Sequence, residues 1–345
     1  MKISLLIPSY NEEKSLAKSL EEIFKQTRAP DEVIVVNDGS TDNSEQILNL
    51  FAKKHSNFHP INLLQNTGNK SKAQEKGVPY ITWDIVIMTD ADTILDKDFV
   101  LKIEKSFEND PDKKIAAVLW YVSSLKHNWI TACREIDYII WQDIFKKAQS
   151  IIWYVYVMPG CAMAIRTSIL KDLKFSHDTV TEDLDFTFQI HLRWLQILYN
   201  TEALVYTQDP PNLSSYIRQM KRWYGWGWQN LRKYWPIMFK NPAAGFVLSS
   251  IFIDGVFYSS ITLITPIIFP VYFFTYLLPL YLFGAFFFAL YAAISSKRYD
   301  LMLYFPHYII IVFINAYIIG YEFLLEFIFR KWNLTWNRAD RVIMK

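Results

Sequence analysis

Ile3-Ser4-Leu5-Leu6-Ile7 and Glu32-Val33-Ile34-Val35-Val36 enclose a stretch, Glu12 to Lys25, whose apolar residues recur at helical spacing. Short runs rich in β-branched residues read as strands, and a 3.6-residue period between them reads as a connecting helix. The alternation continues with a helix from Asp42 to Lys54, a strand near Ile61 to Gln65, a helix from Ser71 and a strand from Asp84 to Met88. This order predicts an α/β fold with a mainly parallel sheet covered on both faces. Ligands bind such sheets beyond the carboxyl ends of the strands. Three polar clusters fall there: Ser9-Tyr10-Asn11-Glu12, Asn37-Asp38-Gly39-Ser40 and Asp90-Ala91-Asp92.

The rest of the chain obeys a different solvent. The 345 residues are 52% hydrophobic and 17% aromatic, and most of that excess follows Lys240. From Asn241 to Ser296 the sole charged side chain is Asp254, and Leu301 to Tyr321 carries none beyond His307. A spanning helix needs about 20 apolar residues, which leaves room for about three. The expected cores are Ala243 to Thr265, Ile267 to Ile294 and Leu301 to Tyr321, with Pro266, Pro270 and Pro279 blurring the first boundary. Buried core helices would need shorter or more polar segments. Met1 to Tyr10 is too short for a span and lacks a signal-peptide pattern, so the amino-terminal domain is expected in the cytoplasm.

Lys297 and Arg298 in one loop, and Arg330, Lys331, Arg338, Arg341 and Lys345 in the tail, both suggest the cytoplasmic side. Both hold only if the span count is even, or if one segment lies in the interface with Glu322 and Glu326 facing water. The resulting division is a domain over 1–235 ending in an interfacial helix at about 213–235, a transmembrane region over 241–329 and a basic tail over 330–345. Cys133 and Cys161 lack a pairing pattern and read as reduced thiols. A net charge of +2 gives no nucleic-acid surface.

Each polar cluster has a structural and a chemical reading. Asp90-Ala91-Asp92, after the strand Ile85 to Met88, suits a carboxylate pair binding a divalent cation that bridges to a diphosphate; it also suits a turn or a helix cap. Asn37-Asp38-Gly39-Ser40 reads first as a turn, and second as a site for a nucleotide base or ribose. Thr181-Glu182-Asp183 is a capped helix start, or a general base facing an acceptor hydroxyl. Gln219, Arg222 and Trp223 share one helix face. A guanidinium and an amide there would bind diphosphate, and an indole would stack on a sugar, although Trp and Arg are also common at membrane surfaces.

Taken together, these elements resemble the family-2 glycosyltransferases, in the branch with Asp, Asp, Asp and Gln-x-x-Arg-Trp that includes cellulose, hyaluronan and poly-N-acetylglucosamine synthases. Ile7-Pro8-Ser9-Tyr10-Asn11-Glu12-Glu13 resembles that family's first strand and loop, Asn66 to Gly77 with Lys70, Ser71 and Ala73 the stretch before the metal strand, and Pro159-Gly160-Cys161 the acceptor loop. The resemblance runs from Lys2 to Tyr234. It implies a GT-A fold, a nucleotide-sugar donor, usually a UDP-sugar, Mg²⁺ or Mn²⁺, and inversion at the anomeric carbon. Pro8, Tyr10, Glu12, Asn37 and Asp38 would then hold the nucleoside, and Lys70 and Asp90 the ribose-diphosphate. Asp92, with Asp90, would hold the metal, and Asp183, beside Glu182, would be the base. Gln219 and Arg222 would bind the leaving diphosphate, with Gly160, Cys161 and Trp223 at the acceptor.

Three places depart from the family pattern: Asn37-Asp38 in place of two aspartates, His191-Leu192-Arg193-Trp194 without its glycine, and Gln208-Asp209-Pro210-Pro211. The implied acceptor is a growing polysaccharide or a lipid, with membrane lipids and a second copy of the chain as further partners. A nucleotide-sugar-binding scaffold without catalysis is the rival of another class.

Overall fold

The computed structural model describes residues 1–125, 127–161, 163–175, 182–236, 240 and 242–331, and only the backbone of Glu182 and Ala243. His177, Asp178, Thr181 and the tail residues Arg338, Arg341 and Lys345 lie outside the described residues.

In chain order the elements are β1 (Ile3–Ser9), α1 (Leu16–Phe24), β2 (Glu32–Asn37), α2 (Ser44–Lys54), β3 (Phe58–Asn62), α3 (Lys70–Gly77), β4 (Ile85–Met88), β5 (Ile94–Leu95), α4 (Phe99–Glu108) and β6 (Ile115–Ser124). Next come α5 (Trp129–Ile140), which runs through a π-helical turn (Trp141–Lys146) into α6 (Lys147–Ile151), then β7 (Met163–Arg166), α7 (Thr167–Asp172), α8 (Glu182–Leu192), β8 (Gln196–Thr207) and α9 (Leu213–Lys233). The apolar part contains α10 (Pro242–Ile268), α11 (Pro270–Tyr272), α12 (Leu278–Ser295) and α13 (Phe305–Glu322). Met1–Ser123 with Ser150–Gln208 form one compact unit, and Ser124–Gln149 with the described residues from Asp209 onward form a second.

In the first unit eight strands form one sheet in the order β3-β2-β1-β4-β7-β6-β8-β5. Its β3-β2-β1-β4 half is parallel, with Leu6 opposite both Ile34 and Met88, while β7 joins β4 and β6 antiparallel. Alternate residues feed two cores. Ile3, Leu5 and Ile7 meet Leu16, Leu20 and Ile23 of α1 on one face, and Leu6 joins Ile34, Val36 and Met88 on the other. A sheet covered on both faces follows from side chains pointing to opposite sides at a period of two. Glu32, a buried charge on β2, is satisfied by the Ser4 hydroxyl at 2.7 Å and the Thr82 hydroxyl at 2.9 Å.

Two elements begin away from their expected places. The first helix starts at Leu16 instead of Glu12, because Asn11 is in the left-handed region (φ 54°) and the Glu12 carbonyl accepts from the Ser15 and Leu16 amides in a turn. The third strand is Phe58–Asn62, upstream of Ile61 to Gln65. Pro60 argues against a central strand, but β3 is the sheet edge, where a missing N–H costs no ladder bond. Phe58 is buried in the first core, and Leu64 is fully solvent-exposed.

The second unit contains three helices long and apolar enough to cross a membrane: Ala244–Ile268, Pro270–Ser295 and Tyr299–Ile328, of 25, 26 and 30 residues. Each exceeds the ~20 residues that a hydrocarbon core requires. The first break falls at Phe269, ahead of Pro270, and Pro266 is carried inside α10. Glu322 and Glu326 do not face water. Both are buried: Glu326 accepts from Gln229 Nε2 at 2.9 Å, and Glu322 sits where a Cβ on Gly225 of α9 would come within 2.9 Å of its Oε2. Glycine on one helix thus makes room for a carboxylate on the other.

α3 lies close on the sheet, because a Cβ on Gly77 would stand 2.4 Å from Leu6 Cδ1 and 2.9 Å from Val36 Cγ2. Gly77→Ala should cost about 1–3 kcal/mol through overpacking. A lowered unfolding temperature of the solubilised chain is the expected result, and an unchanged one would contradict this packing.

Candidate active site

The loops after β1, β2 and β4 are built on short polar side chains that replace missing backbone partners. After β1, Asn11 accepts from the Thr41 amide at 2.8 Å while its own amide donates to Ser40 Oγ at 2.9 Å. Glu12 is buried, with Oε2 accepting from the Ser15 hydroxyl at 2.8 Å. Pro8 and Tyr10 are half-buried at the same strand end.

After β2, Asn37 is buried and donates to Asn62 Oδ1 at 3.0 Å. The Asp38 carboxylate accepts from the Thr67 amide and from the Thr67 hydroxyl, each at 2.9 Å. Gly39 follows at φ 65°, and a Cβ there would lie 2.5 Å from the Asn66 nitrogen. Asn37 to Ser40 is therefore the turn that its sequence suggests, and Asp38 clasps the loop leading to α3. Thr67, which no motif flags, completes that clasp.

α3 begins at Lys70, capped by Asn69, whose side chain accepts from the Ser71 amide at 2.8 Å. Lys70 Nζ lies 2.6 Å from Asp90 Oδ1 and 3.4 Å from the Gly160 carbonyl. The Gly160 amide donates to Asp183 Oδ2 at 3.0 Å, and the Leu184 amide donates to Asp183 Oδ1 at 2.7 Å. Thr89 Oγ1 donates to the Cys161 carbonyl at 3.3 Å. Five of the residues singled out from the sequence, Lys70, Asp90, Gly160, Cys161 and Asp183, thus meet around one loop, although the chain separates the outermost by more than a hundred positions.

Asp90 and Asp92 flank a turn closed by the Thr93 amide on the Asp90 carbonyl at 3.1 Å, and the Thr93 carbonyl is held by Ser19 Oγ at 2.6 Å. Asp92 is 2% exposed. Among the described residues no three His, Cys, Asp or Glu side chains converge into a ready-made metal cage. Mg²⁺ and Mn²⁺ take oxygen ligands, and a site of one or two carboxylates completed by substrate phosphates and water is usual for Mg²⁺. The oxygen donors of Asp90 and Asp92 fit such a shared site.

α8 carries Asp183 and is tied to the loop before Gly160 at three points. Thr187 Oγ1 accepts from the Met158 amide at 3.0 Å, His191 Nε2 bonds the Val155 carbonyl at 2.7 Å, and the His191 ring stacks on Tyr154 at 4.2 Å. Burial, reinforced by the charge of Asp183, raises the pKa of the Tyr156 phenol, which therefore stays protonated and neutral near the carboxylate. Sequence reasoning missed Tyr156 and Thr187, since neither belongs to a motif. The Glu182 side chain lies outside the described residues.

In the second unit α9 carries Gln219, Arg222 and Trp223. Gln219 is buried, Arg222 lies over the Trp226 ring at 5.3 Å, and Trp223 is exposed. The free thiols differ: Cys133 is buried and pushed up to about 12 by desolvation and then by Asp137, whereas Cys161 is half-buried.

The first unit is thus an α/β sheet with paired aspartates at one strand end and a carboxylate held over the Gly160 loop. Residues 4–174 match the Glycosyl transferase family 2 model. Among curated relatives, the chain is 28% identical over 249 residues to a poly-beta-1,6-N-acetyl-D-glucosamine synthase of Staphylococcus epidermidis, an alignment covering 71% of this chain and 60% of that protein. The corresponding Staphylococcus aureus synthase is 27% identical over 223 residues, 64% of this chain and 53% of the relative. The chain therefore spans little more than half the length of these relatives. Among solved structures, the mannosyltransferase PcManGT from Pyrobaculum calidifontis, in complex with GDP-Man and Mn²⁺, superposes with a TM-score of 0.63 at 19% identity, over 96% of this chain and 88% of that one. Residues 1–349 of S. aureus TarS superpose with a TM-score of 0.54 at 20% identity, over 94% and 91% of the two chains. These neighbours establish the GT-A fold.

His191 gives this region a pH dependence. Its pKa is lowered to about 4 by burial, against an ordinary 6.5. Between those values the unfolded chain binds the extra proton, so stability is full above pH 6.5 and falls as the pH drops toward 4, by on the order of 3 kcal/mol. Thermal unfolding followed from pH 7.5 to 4.5 should show this slope, and His191→Gln should flatten it.

Proposed function

We propose that the chain is a membrane-embedded, inverting, metal-dependent glycosyltransferase that moves a sugar from a nucleotide-sugar onto a membrane-associated acceptor, a growing β-linked polysaccharide. The observation that carries this reading is the linkage Asp90–Lys70–Gly160–Asp183, which puts a donor-side cation and a candidate base on two sides of one loop. UDP-N-acetylglucosamine is the first donor to test, because the curated relatives named above are N-acetylglucosamine polymer synthases. The loop with Lys297 and Arg298 supports a cytoplasmic catalytic unit by the positive-inside rule.

In this reading Pro8, Tyr10, Glu12, Asn37 and Asp38 line the nucleoside end, and Lys70 meets the donor phosphates with its ammonium. Asp90 and Asp92 would hold Mg²⁺ or Mn²⁺, which when bound supplies Lewis-acid stabilisation of diphosphate charge. Asp183 takes the proton of the acceptor hydroxyl as that oxygen attacks the anomeric carbon and the bond to the diphosphate breaks. Two backbone N–H donors aim the carboxylate. Gln219 and Arg222 would neutralise the departing diphosphate, and Gly160, Cys161 and Trp223 would seat the acceptor.

The experiment is a donor screen on the full chain in lipid nanodiscs, reading nucleotide diphosphate release and product size with and without divalent cation. UDP release that needs Mg²⁺ or Mn²⁺, together with a ladder of products, is expected. A single lipid-linked sugar would replace the polysaccharide acceptor by a lipid, and tight donor binding without release would make the protein a non-catalytic scaffold. Asp183→Asn should lower transfer by at least about a hundredfold while donor affinity stays within about twofold. Transfer at the wild-type rate would remove Asp183 from the base role.

A further inference from the structure

We propose that Arg134 of α5 is a positioning residue that fixes the indole of Trp223, and so sets acceptor affinity in the reaction proposed above. The inference rests on the acceptor role given to Trp223 and names the group that makes that role possible.

Arg134 is 5% exposed, an unusual place for a guanidinium. Its Nη1 lies 3.2 Å from Asp137 Oδ2 and its Nε 3.4 Å from Asp209 Oδ1. Both partners are held in turn. Tyr138 OH donates to Asp209 Oδ1 at 3.1 Å, and Tyr308 OH donates to Asp137 Oδ1 at 2.6 Å. The guanidinium stands 4.6 Å from the Tyr138 ring and 5.1 Å from the Trp223 ring, within cation–π range of both.

Trp223 itself is 39% exposed. Part of the indole therefore faces solvent, and a platform for a sugar ring must be held in one orientation to present a defined face. A planar, fully charged group fixed by two carboxylates on two different segments is what such a ring lacks. Asp137 comes from α5 itself, and Asp209 from the Gln208-Asp209-Pro210-Pro211 turn that leads into α9. The turn that departs from the family pattern thereby reaches the acceptor tryptophan through Arg134. An arginine is suited to this because its flat guanidinium stacks on a ring while its edge bonds carboxylates, and lysine cannot do both.

Removing the charge would strand the buried Asp209 carboxylate and the half-buried Asp137 and endanger folding, so the test uses Arg134→Lys, Trp223→Phe and the double variant, in the full chain in nanodiscs. With UDP-N-acetylglucosamine as donor and a β-1,6-linked N-acetylglucosamine oligosaccharide as acceptor probe, Arg134→Lys should raise the acceptor KM about tenfold, with donor KM and kcat within about twofold. In the Trp223→Phe background the same change should add little, since the two residues act as one unit. A raised donor KM, a fall confined to kcat, or independent multiplying effects would overturn the proposal.

A second readout does not need turnover. The Trp223 emission, isolated as the difference between each protein and its Trp223→Phe counterpart, should become more accessible to acrylamide in Arg134→Lys. An unchanged quenching constant would also overturn the proposal. If the wild-type chain transfers nothing from this donor to this acceptor, the substrate reading fails, and the quenching result alone decides whether Arg134 positions the indole.

Discussion

The ion pair between Lys70 and Asp90, at 2.6 Å, is the contact around which the catalytic unit is arranged. Lys70 is the first residue of α3, so its position is set by the Asn69 cap and by the Asp38–Thr67 clasp that shapes the preceding loop. Asp90 is held by the turn after β4. The ammonium joins these two strand-end loops and reaches the Gly160 carbonyl, whose own residue donates to Asp183. Charge-assisted bonds of this kind are directional as well as strong, and they hold loops that the sheet alone would leave free. In the proposed reaction a donor diphosphate would meet a cationic group that is already positioned, which would reduce the reorganisation cost.

The second unit follows another logic. Its apolar helices pack through small residues: Ala285, Ala289, Ala292 and Ala293 of α12 sit in one core with Ile136 and Ile139 of α5. Into that surrounding it brings a few buried polar groups, each with partners of complementary chemistry. Arg134 lies between two aspartates, Glu326 meets Gln229, and Thr262 meets Tyr281 at 2.8 Å. In apolar surroundings an unpaired polar group is costly, so such pairs specify which helix faces meet.

Most of the fold was legible because hydrophobic period is a local property. β1, β2, β4 and the three long apolar helices fell where their residues indicated. The strand expected near Ile61 to Gln65 lies at Phe58–Asn62, because at the sheet edge Pro60 is tolerated and Phe58 is the residue that reaches the core. The Glu322 and Glu326 pair could not be placed from sequence, since two carboxylates one turn apart look like a solvated face. Only Gly225 on another helix, about a hundred positions away in the sequence, leaves the room that buries them.

Composition and periodicity by themselves determined that the chain has an α/β part and a membrane-compatible part, and that its acidic clusters lie at strand ends. These are consequences of side-chain hydrophobicity and backbone geometry acting over a few residues. The tertiary structure decided which clusters meet: Asp90 with Lys70, Gly160 with Asp183, and Asp38 with Thr67. It also decided that a buried arginine stands behind Trp223. Those pairings join positions distant along the chain, and their distances depend on how whole elements pack, which no local pattern encodes.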